Sequence, residues 1–359
     1  MDLEKVDKNF AVESINENKY NFVNIKESPI SIHGLRYNEK LCRYERMDND
    51  VADSISVHLS FLNGCTAGGR IRFKTNSSSL SLKVCLGKVW GTSVFSKKHS
   101  VSFSVYVNNK FYKLISPSKN FEIDDNAEYV SAISLGDSKI KKIDIYFPLY
   151  TFIKDVWVGI LEESKIYAAR NYKHNIPIVF YGSSTTQGCC ASRPGNTYIS
   201  LLSRALDFDY INLGFSGNCK SEILMAEYIS KLKMSVFVFD YDYNAETVEE
   251  LRETHEPFFK YIRKNNPNLP IILLPKPCDE PSYEEFEKRK EIIRQTYENA
   301  VLNGDNNVYY VDYKSLYTGF AANSQTVDGC HPNDLGFYLM AKEILQVLKK
   351  ILKEDKNNG

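Results

Sequence analysis

Four short stretches of this 359-residue chain hold the side chains suited to nucleophilic chemistry; the first three stand at the ends of apolar runs and the fourth just before the last helical stretch. The first is Gly182-Ser183-Ser184-Thr185-Thr186-Gln187-Gly188, directly after Ile178–Tyr181. A nucleophilic serine needs a tight strand-to-helix turn that exposes its Oγ. Gly182 permits close backbone approach there, and a following helix start aims backbone N–H groups at the same point. A plain polar loop between strand and helix uses the same residue types, so this stretch decides nothing alone. The second, Asn212-Leu213-Gly214-Phe215-Ser216-Gly217-Asn218, offers glycines at a strand end. At Gly217 a backbone N–H can point inward unobstructed, as a donor to an oxyanion must.

The third stretch, Asp240-Tyr241-Asp242-Tyr243-Asn244-Ala245, has three readings. Asp-x-Asp-x-Asn opens a calcium loop, but Ala245 stands where that loop needs glycine and Leu251 where it needs glutamate. An Asp-x-Asp metal site for a sugar nucleotide lacks a nucleotide-binding loop beside it. The third reading makes the Asn244 amide a donor to an oxyanion. It is preferred because of the fourth stretch, Val327-Asp328-Gly329-Cys330-His331-Pro332-Asn333. A carboxylate three residues before a histidine can orient the imidazole within one turn of loop, leaving His331 as a general base for Ser184. Pro332 and Asn333 read as the start of a helix.

Other reactive side chains weigh less. His255, a rival base, lies mid-helix, where a helix-surface or a satisfied core histidine is the plainer account. His33, His58, His99 and His174 have no nucleophile nearby in sequence. Arg193, in the loop after Gly188, is assigned to substrate binding because loops at that edge carry function. The eight cysteines form no Cys-x-x-Cys and read mostly as small buried hydrophobes. A metal site from Cys189, Cys190, Cys219 and His331 is conceivable, but the spacing matches no zinc pattern, so no metal and no cofactor is expected.

The elements that must position these residues show two rhythms. From about residue 20 to 165, apolar positions alternate: Ile71 and Phe73, then Leu80 to Leu86, Val101 to Val107, and Ile143 to Phe147. Turn residues interrupt them at Asn63-Gly64, Gly68-Gly69, Asn108-Asn109 and Gly136-Asp137. Half-buried antiparallel strands of this kind make a β-sandwich or jelly roll, and no helix-length amphipathic pattern is visible. After about residue 175, five short apolar runs alternate with helical stretches at 198–206, 221–232, 248–263, 283–302 and 333–352. That pattern predicts a parallel sheet covered on both faces, a three-layer flavodoxin-like α/β sandwich whose ligands bind at the carboxyl ends of the strands. Helix 283–302 reads as a solvated surface helix. The expected domains are residues 1–170 and 171–359.

Bulk composition excludes several classes. Acidic and basic residues balance at 45 each, which argues against nucleic acid and against an anionic membrane surface as partners. No apolar run is long enough to span a bilayer. Met1–Asn9 has no apolar signal-peptide core, so a cytoplasmic location is expected. The tail from Lys353 to Gly359 is polar and expected to fray.

Taken in order, Gly182–Gly188, Gly217, Asn244 and Asp328/His331 resemble the four blocks of the SGNH (GDSL-like) hydrolases, over about residues 175–352. The resemblance implies Ser184 as nucleophile, an oxyanion hole from Gly217, Asn244 and the Ser184 N–H, His331 as base and then acid, and Asp328 as its orienter. It departs from the family in the third block, where Asp242-Tyr243-Asn244-Ala245 stands for the usual Gly-x-Asn-Asp. Gly68–Thr75 and Ser102-Phe103-Ser104-Val105-Tyr106 resemble the β-sandwich that precedes some GDSL-like acylhydrolases, with serines replacing the Gly and Asp of Gly-x-Asp-Leu-Tyr. The expected activity is hydrolysis of small, acetyl-type esters on a carbohydrate or related hydroxylated compound. Thioesterase, lysophospholipase or acyltransferase activity would use the same residues, and a non-catalytic carbohydrate-binding protein on the same scaffold is the rival from another class.

Overall fold

The computed structural model describes residues 6–7, 17–118, 120–242, 244–277, 283–313, 316, 320 and 322–354. Cys278, Tyr243, most of Met1–Asn9 and the end of the tail lie outside them.

The N-terminal half is built from antiparallel strands, as the alternation predicts. One sheet has the strand order Tyr20–Asn24, Thr151–Leu161, Ser79–Val89, Glu128–Ser134. The second runs Ile166–Tyr167, Arg70–Thr75, Lys141–Tyr146, Phe103–Val107, Lys110–Ile115, with Ser31–His33 also paired to Arg70–Thr75. Their inner faces share one core, including Ile71, Phe73, Leu82, Val84, Val105 and Ile145.

Two features of this half differ from the sequence expectation. It contains two seven-residue helices, Asn49–Ile55 and Val57–Asn63. The side chains of Asp48 and Ser56 cap them by accepting from the N–H groups of Asp50 and Leu59. Two turns of helix are too short to show a 3.6-residue period, and Asn63-Gly64, expected as a turn, is the end of the second one. The other difference concerns Arg70 and Arg72, which alternate with core residues yet are buried rather than solvated. The Arg70 guanidinium donates to Asp209 and lies 3.5 Å over the Tyr210 ring, while Arg72 pairs with Asp144 at 2.8 Å. The outer face of that strand is therefore an interface with the C-terminal half.

The C-terminal half holds five parallel strands: β1 (His174–Gly182), β2 (Phe208–Gly214), β3 (Val236–Asp240), β4 (Ile271–Leu273) and β5 (Val308–Tyr310). Their order is β2-β1-β3-β4-β5, the flavodoxin-like arrangement. The helices are α1 (Ser184–Gln187), α2 (Tyr198–Leu206), α3 (Ile223–Ser230), α4 (Val248–Asn265), α5 (Tyr283–Leu302) and α6 (Asp334–Glu354). None of the described helices is long and apolar enough to cross a membrane.

Each strand alternates between two buried faces. Ile178 and Phe180 join Tyr198, Leu202, Phe337 and Met340 of α2 and α6. Val179 and Tyr181 join Met225, Ile229, Leu251 and Phe258 of α3 and α4. The two N-terminal helices pack into this second face through Ala52, Leu59 and Leu62. Edge strand β2 is covered by the sandwich: His33 Nδ1 meets Asp209 Oδ2 at 2.8 Å, and a Cβ on Gly68 would come 2.6 Å from that of Asn212. Covering it removes an open sheet edge.

Candidate active site

The register of the sheet brings the site together. Gly182 at the end of β1 is the partner of Gly214 on β2 and of Asp240 on β3. Three strands therefore release their loops side by side at the carboxyl edge. A Cβ on Gly182 would lie 2.2 Å from Thr186 Oγ1 and 2.8 Å from Asp240, so only glycine lets the chain turn into α1 there. Ser183 caps α1 by accepting from the Thr185 N–H at 3.2 Å, and Gly188 ends it in a left-handed conformation at φ 106°.

Buried hydrogen bonds hold this turn. Asn212 Nδ2 donates to the Thr186 carbonyl at 2.8 Å, while Asn212 Oδ1 accepts from the Gly214 N–H. The Thr186 hydroxyl donates to Asp240 Oδ2 at 2.6 Å, and Tyr198 donates to the same oxygen at 3.3 Å. Asp240 is fully buried and its Oδ1 has no partner. Burial pushes its carboxyl up to about 7, although the two hydroxyl donors oppose the shift.

Ser184 itself is 8% exposed. Its Oγ lies 3.0 Å from His331 Nε2, and His331 Nδ1 lies 2.7 Å from Asp328 Oδ2. Asp328 Oδ1 also accepts from the N–H groups of Cys330 at 3.0 Å and His331 at 2.7 Å. Desolvation pushes the Asp328 carboxyl up, but these bonds and the imidazole outweigh it and hold the group below its ordinary value. A carboxylate at Nδ1 keeps the proton there and leaves the Nε2 lone pair for the serine hydroxyl. Asn333 then caps α6 by accepting from the N–H groups of Leu335 and Gly336.

Gly217 sits at φ 69° with nothing within 4 Å of where a Cβ would be. Asn244 Oδ1 accepts from the Cys219 N–H at 3.2 Å, which orients the amide and leaves Nδ2 as its outward donor. Among the described residues no protein acceptor takes the Gly217 N–H or Asn244 Nδ2. The Ser184 N–H, at the first position of α1, is an orphan donor of the helix's first turn. Gly217 and Asn244 share the wall of a cavity of about 520 Å³ with Lys220, Glu246, Phe286 and Arg289.

Other expected residues fall elsewhere. The Arg193 guanidinium lies 3.8 Å over the Phe111 ring of the sandwich, and its buried Nε has no partner. The structure thus joins Arg193 to the sandwich through Phe111. The Asp240 carboxylate faces Thr186 and Tyr198, whereas Asp242 accepts from the Lys276 N–H at 2.9 Å and meets Arg289 at 3.5 Å. These separate partners do not suit a shared metal. His255 is core: fully buried, stacked on Phe239 and bonded to Thr296, with burial pushing its pKa down to about 3. Of the seven described cysteines only Cys65, Cys189 and Cys219 are buried, fewer than expected, and none of the seven forms a disulfide with another described residue.

Sequence reasoning missed residues that reach the site from a distance. The Tyr150 hydroxyl, from the N-terminal half, bonds the Ser216 hydroxyl, and Gln187 Oε1 accepts from the Ser216 N–H at 3.0 Å. Buried Arg46, also N-terminal, donates to the carbonyls of Gly214 and Leu62 and lies 4.4 Å over the Phe215 ring. Both brace the loop that presents Gly217. Helix α5, expected to be solvated, gives Phe286 and Arg289 to the cavity, and Arg289 donates to the carbonyls of Asp242 and Ala245. No local pattern signals the bonds of Tyr150 to Ser216, of Arg46 to Gly214 and of Arg289 to Asp242 and Ala245, because in each the two residues lie more than 40 positions apart.

The comparisons with known proteins agree with this geometry. Residues 175–349 match the family model of the GDSL-like lipase/acylhydrolase family, and residues 20–166 match that of the N-terminus of SGNH hydrolase-type esterases. Among solved structures, a protein described as a GDSL-like lipase from Bacteroides ovatus is 26% identical. It covers 93% of this chain and 98% of its own, with a TM-score of 0.80. A salicylyl-acyltransferase from a tetracycline biosynthetic pathway is 16% identical over 91% and 96%, with a TM-score of 0.74. A family two carbohydrate esterase from Clostridium thermocellum is 12% identical over 91% and 99%, with a TM-score of 0.64. These last two likenesses show a shared fold. No curated protein matches the chain.

Proposed function

The chain is a serine hydrolase of the GDSL-like lipase/acylhydrolase family, and from that premise we propose that it removes small acyl groups, acetyl above all, from a hydroxylated compound such as a carbohydrate. The observation that carries this is the hydrogen-bonded chain Ser184–His331–Asp328, with Gly217 and Asn244 on the loops that follow the two neighbouring strands and, among the described residues, no protein acceptor on the Gly217 N–H or Asn244 Nδ2.

In the proposed cycle the Ser184 hydroxyl gives its proton to His331 Nε2 as Oγ attacks the ester carbonyl. Charge developing on the carbonyl oxygen is met by the N–H groups of Ser184 and Gly217 and by Asn244 Nδ2. Collapse of the tetrahedral species breaks the ester C–O bond, and protonated His331 supplies the proton to the leaving alcohol. Water then attacks the acyl-serine, gives its proton to His331, and releases the acid while Ser184 recovers its own. Asp328 keeps the imidazole in one tautomer and balances its transient charge.

The cavity beside Asn244 supports a hydroxylated substrate. Among the described residues its wall carries Lys220, Glu246, Glu285 and Arg289 together with one aromatic, Phe286. Such a wall offers hydrogen bonds and one stacking face, whereas a long acyl chain would want an apolar channel. The carbohydrate esterase of the same fold is consistent with this choice.

Initial rates on p-nitrophenyl esters of increasing acyl length, for wild type and Ser184→Ala, test the proposal. Activity confined to acetate and propionate and abolished in the variant is expected. Equal rates in both proteins would remove Ser184 as nucleophile, and a maximum at long chains would make the enzyme a lipase. Because the acyl-enzyme is common to hydrolysis and transfer, product analysis with a competing alcohol separates the two.

A further inference from the structure

We propose that Cys189, Cys190 and His331 form a binding site for a thiophilic divalent cation such as Zn2+ or Cd2+, and that the bound ion switches the serine off. The inhibitory half of this rests on the esterase reading above; the binding half does not.

Adjacent residues in an extended chain point in opposite directions, so two neighbouring thiols seldom share a target. Here Cys190 takes a left-handed conformation, φ 68°, uncommon for a residue with a Cβ. The two sulfurs consequently stand 3.5 Å apart. One ligand atom from each of Cys189, Cys190 and His331 lies within 4.8 Å of the others. A tetrahedral ion with metal–sulfur bonds of about 2.3 Å and metal–nitrogen bonds of about 2.0 Å holds its ligand atoms roughly 3.5–3.8 Å apart. The thiol pair is therefore close to the spacing required, and side-chain rotation suffices for the imidazole.

The nitrogen available to the ion is Nε2, because Nδ1 is held by Asp328 at 2.7 Å. A metal-bound histidine whose other nitrogen donates to a carboxylate is a stable arrangement, since the carboxylate fixes the ring and raises its basicity. The group that prepares His331 as a base thus prepares it equally as a ligand. Binding releases one proton from each thiol and takes the Nε2 lone pair. The Ser184 hydroxyl, 3.0 Å away, then loses its proton acceptor. The fourth position on the ion is left to water. Cys219, which sequence reasoning grouped with these residues, is not part of the cluster.

The test is a titration of chelator-dialysed protein with CdCl2 under a phosphine reductant, in a background with Cys42, Cys85 and Cys278 replaced by serine. Cadmium–thiolate charge-transfer absorbance reports binding. The expected result is saturation at one equivalent, loss of the band in Cys189→Ser/Cys190→Ser, retention in Cys330→Ser, and affinity weakened about tenfold or more in His331→Ala. In parallel, p-nitrophenyl acetate hydrolysis by the parent and by Cys330→Ser, each normalised to its own metal-free rate, should fall about tenfold or more at one equivalent and return with chelator, whereas hydrolysis by Cys189→Ser/Cys190→Ser should not change. A band that persists without Cys189 and Cys190, absence of binding in the parent, or unchanged affinity in His331→Ala would overturn the site. Binding that leaves hydrolysis untouched would overturn the switch. If the metal-free protein hydrolyses no ester, the esterase reading fails by itself, and absorbance still decides the site.

Discussion

The loop that carries Ser184 and the loop that carries His331 are stabilised in opposite ways. Gly182–Gln187 is buried, and its polar groups are fixed by Asn212, Asp240, Tyr198 and Leu149 from other elements. Asp328–His331 is half exposed and holds itself: one carboxylate accepts from two backbone N–H groups and one imidazole within four residues. The nucleophile turn therefore depends on the whole fold, while the acid–base loop is organised locally and only has to be delivered to Ser184 by the start of α6. Damage to the first should appear in stability and activity together; damage to the second should appear in activity alone.

The largest effect expected is loss of Ser184. Ser184→Ala should lower kcat by about 10⁴–10⁶ with little change in the urea midpoint, and adding His331→Ala should cost almost nothing further, since the pair acts as a unit. A double variant far below either single one would separate their roles and break the proposed relay. Next, Asp328→Asn should lower kcat by about 10³–10⁴ through the wrong imidazole tautomer. Because its native pKa is depressed, the stability Asp328 adds is present above about pH 4 and lost as pH falls through the lower native value. Denaturation curves at neutral pH should thus shift only slightly in the variant, and a large shift would contradict the local character of this loop.

Asp240 tests the buried side of the comparison. Its native pKa of about 7 lies above the ordinary carboxylate value, so the neutral form favours folding. That stability is fully present below about pH 4 and is lost as pH rises through 7, by on the order of 4 kcal/mol. Asp240→Asn keeps an acceptor for Thr186 and should flatten this slope in urea melts between pH 4 and 8. An unchanged slope would show that Asp240 stays ionised. Gly182→Ala should destabilise by about 1–3 kcal/mol and lower kcat as well, because the added Cβ displaces Thr186 and Asp240. Differential denaturation with parallel kinetics checks both halves. Tyr150→Phe should have the smallest effect: about 1 kcal/mol for the lost bond to Ser216, and a kcat reduced a few-fold as the Gly217 loop loosens. A KM change with kcat intact would place Tyr150 in substrate binding.

The sequence by itself determined the pieces whose physics is local. Wholly apolar runs at Ile178–Tyr181 and Val236–Phe239 can only be strands covered on both faces, and the helices between them make the sheet parallel. The Asp328–His331 pairing was legible for the same reason, since its partners lie within one turn of chain. Tertiary structure alone decided what distant chain segments do to one another. It turned the apparently solvated Arg70 and Arg72 into an interface, and it set Arg193 over the Phe111 ring of the sandwich. It brought Tyr150 and Arg46 under the Gly217 loop, and it gathered Cys189 and Cys190 beside His331 although their spacing matches no metal motif. Periodicity reports which face of an element is covered. Which residues cover it is fixed only when the sheets pack, because side-chain contacts between segments more than eighty residues apart leave no trace in the spacing of either.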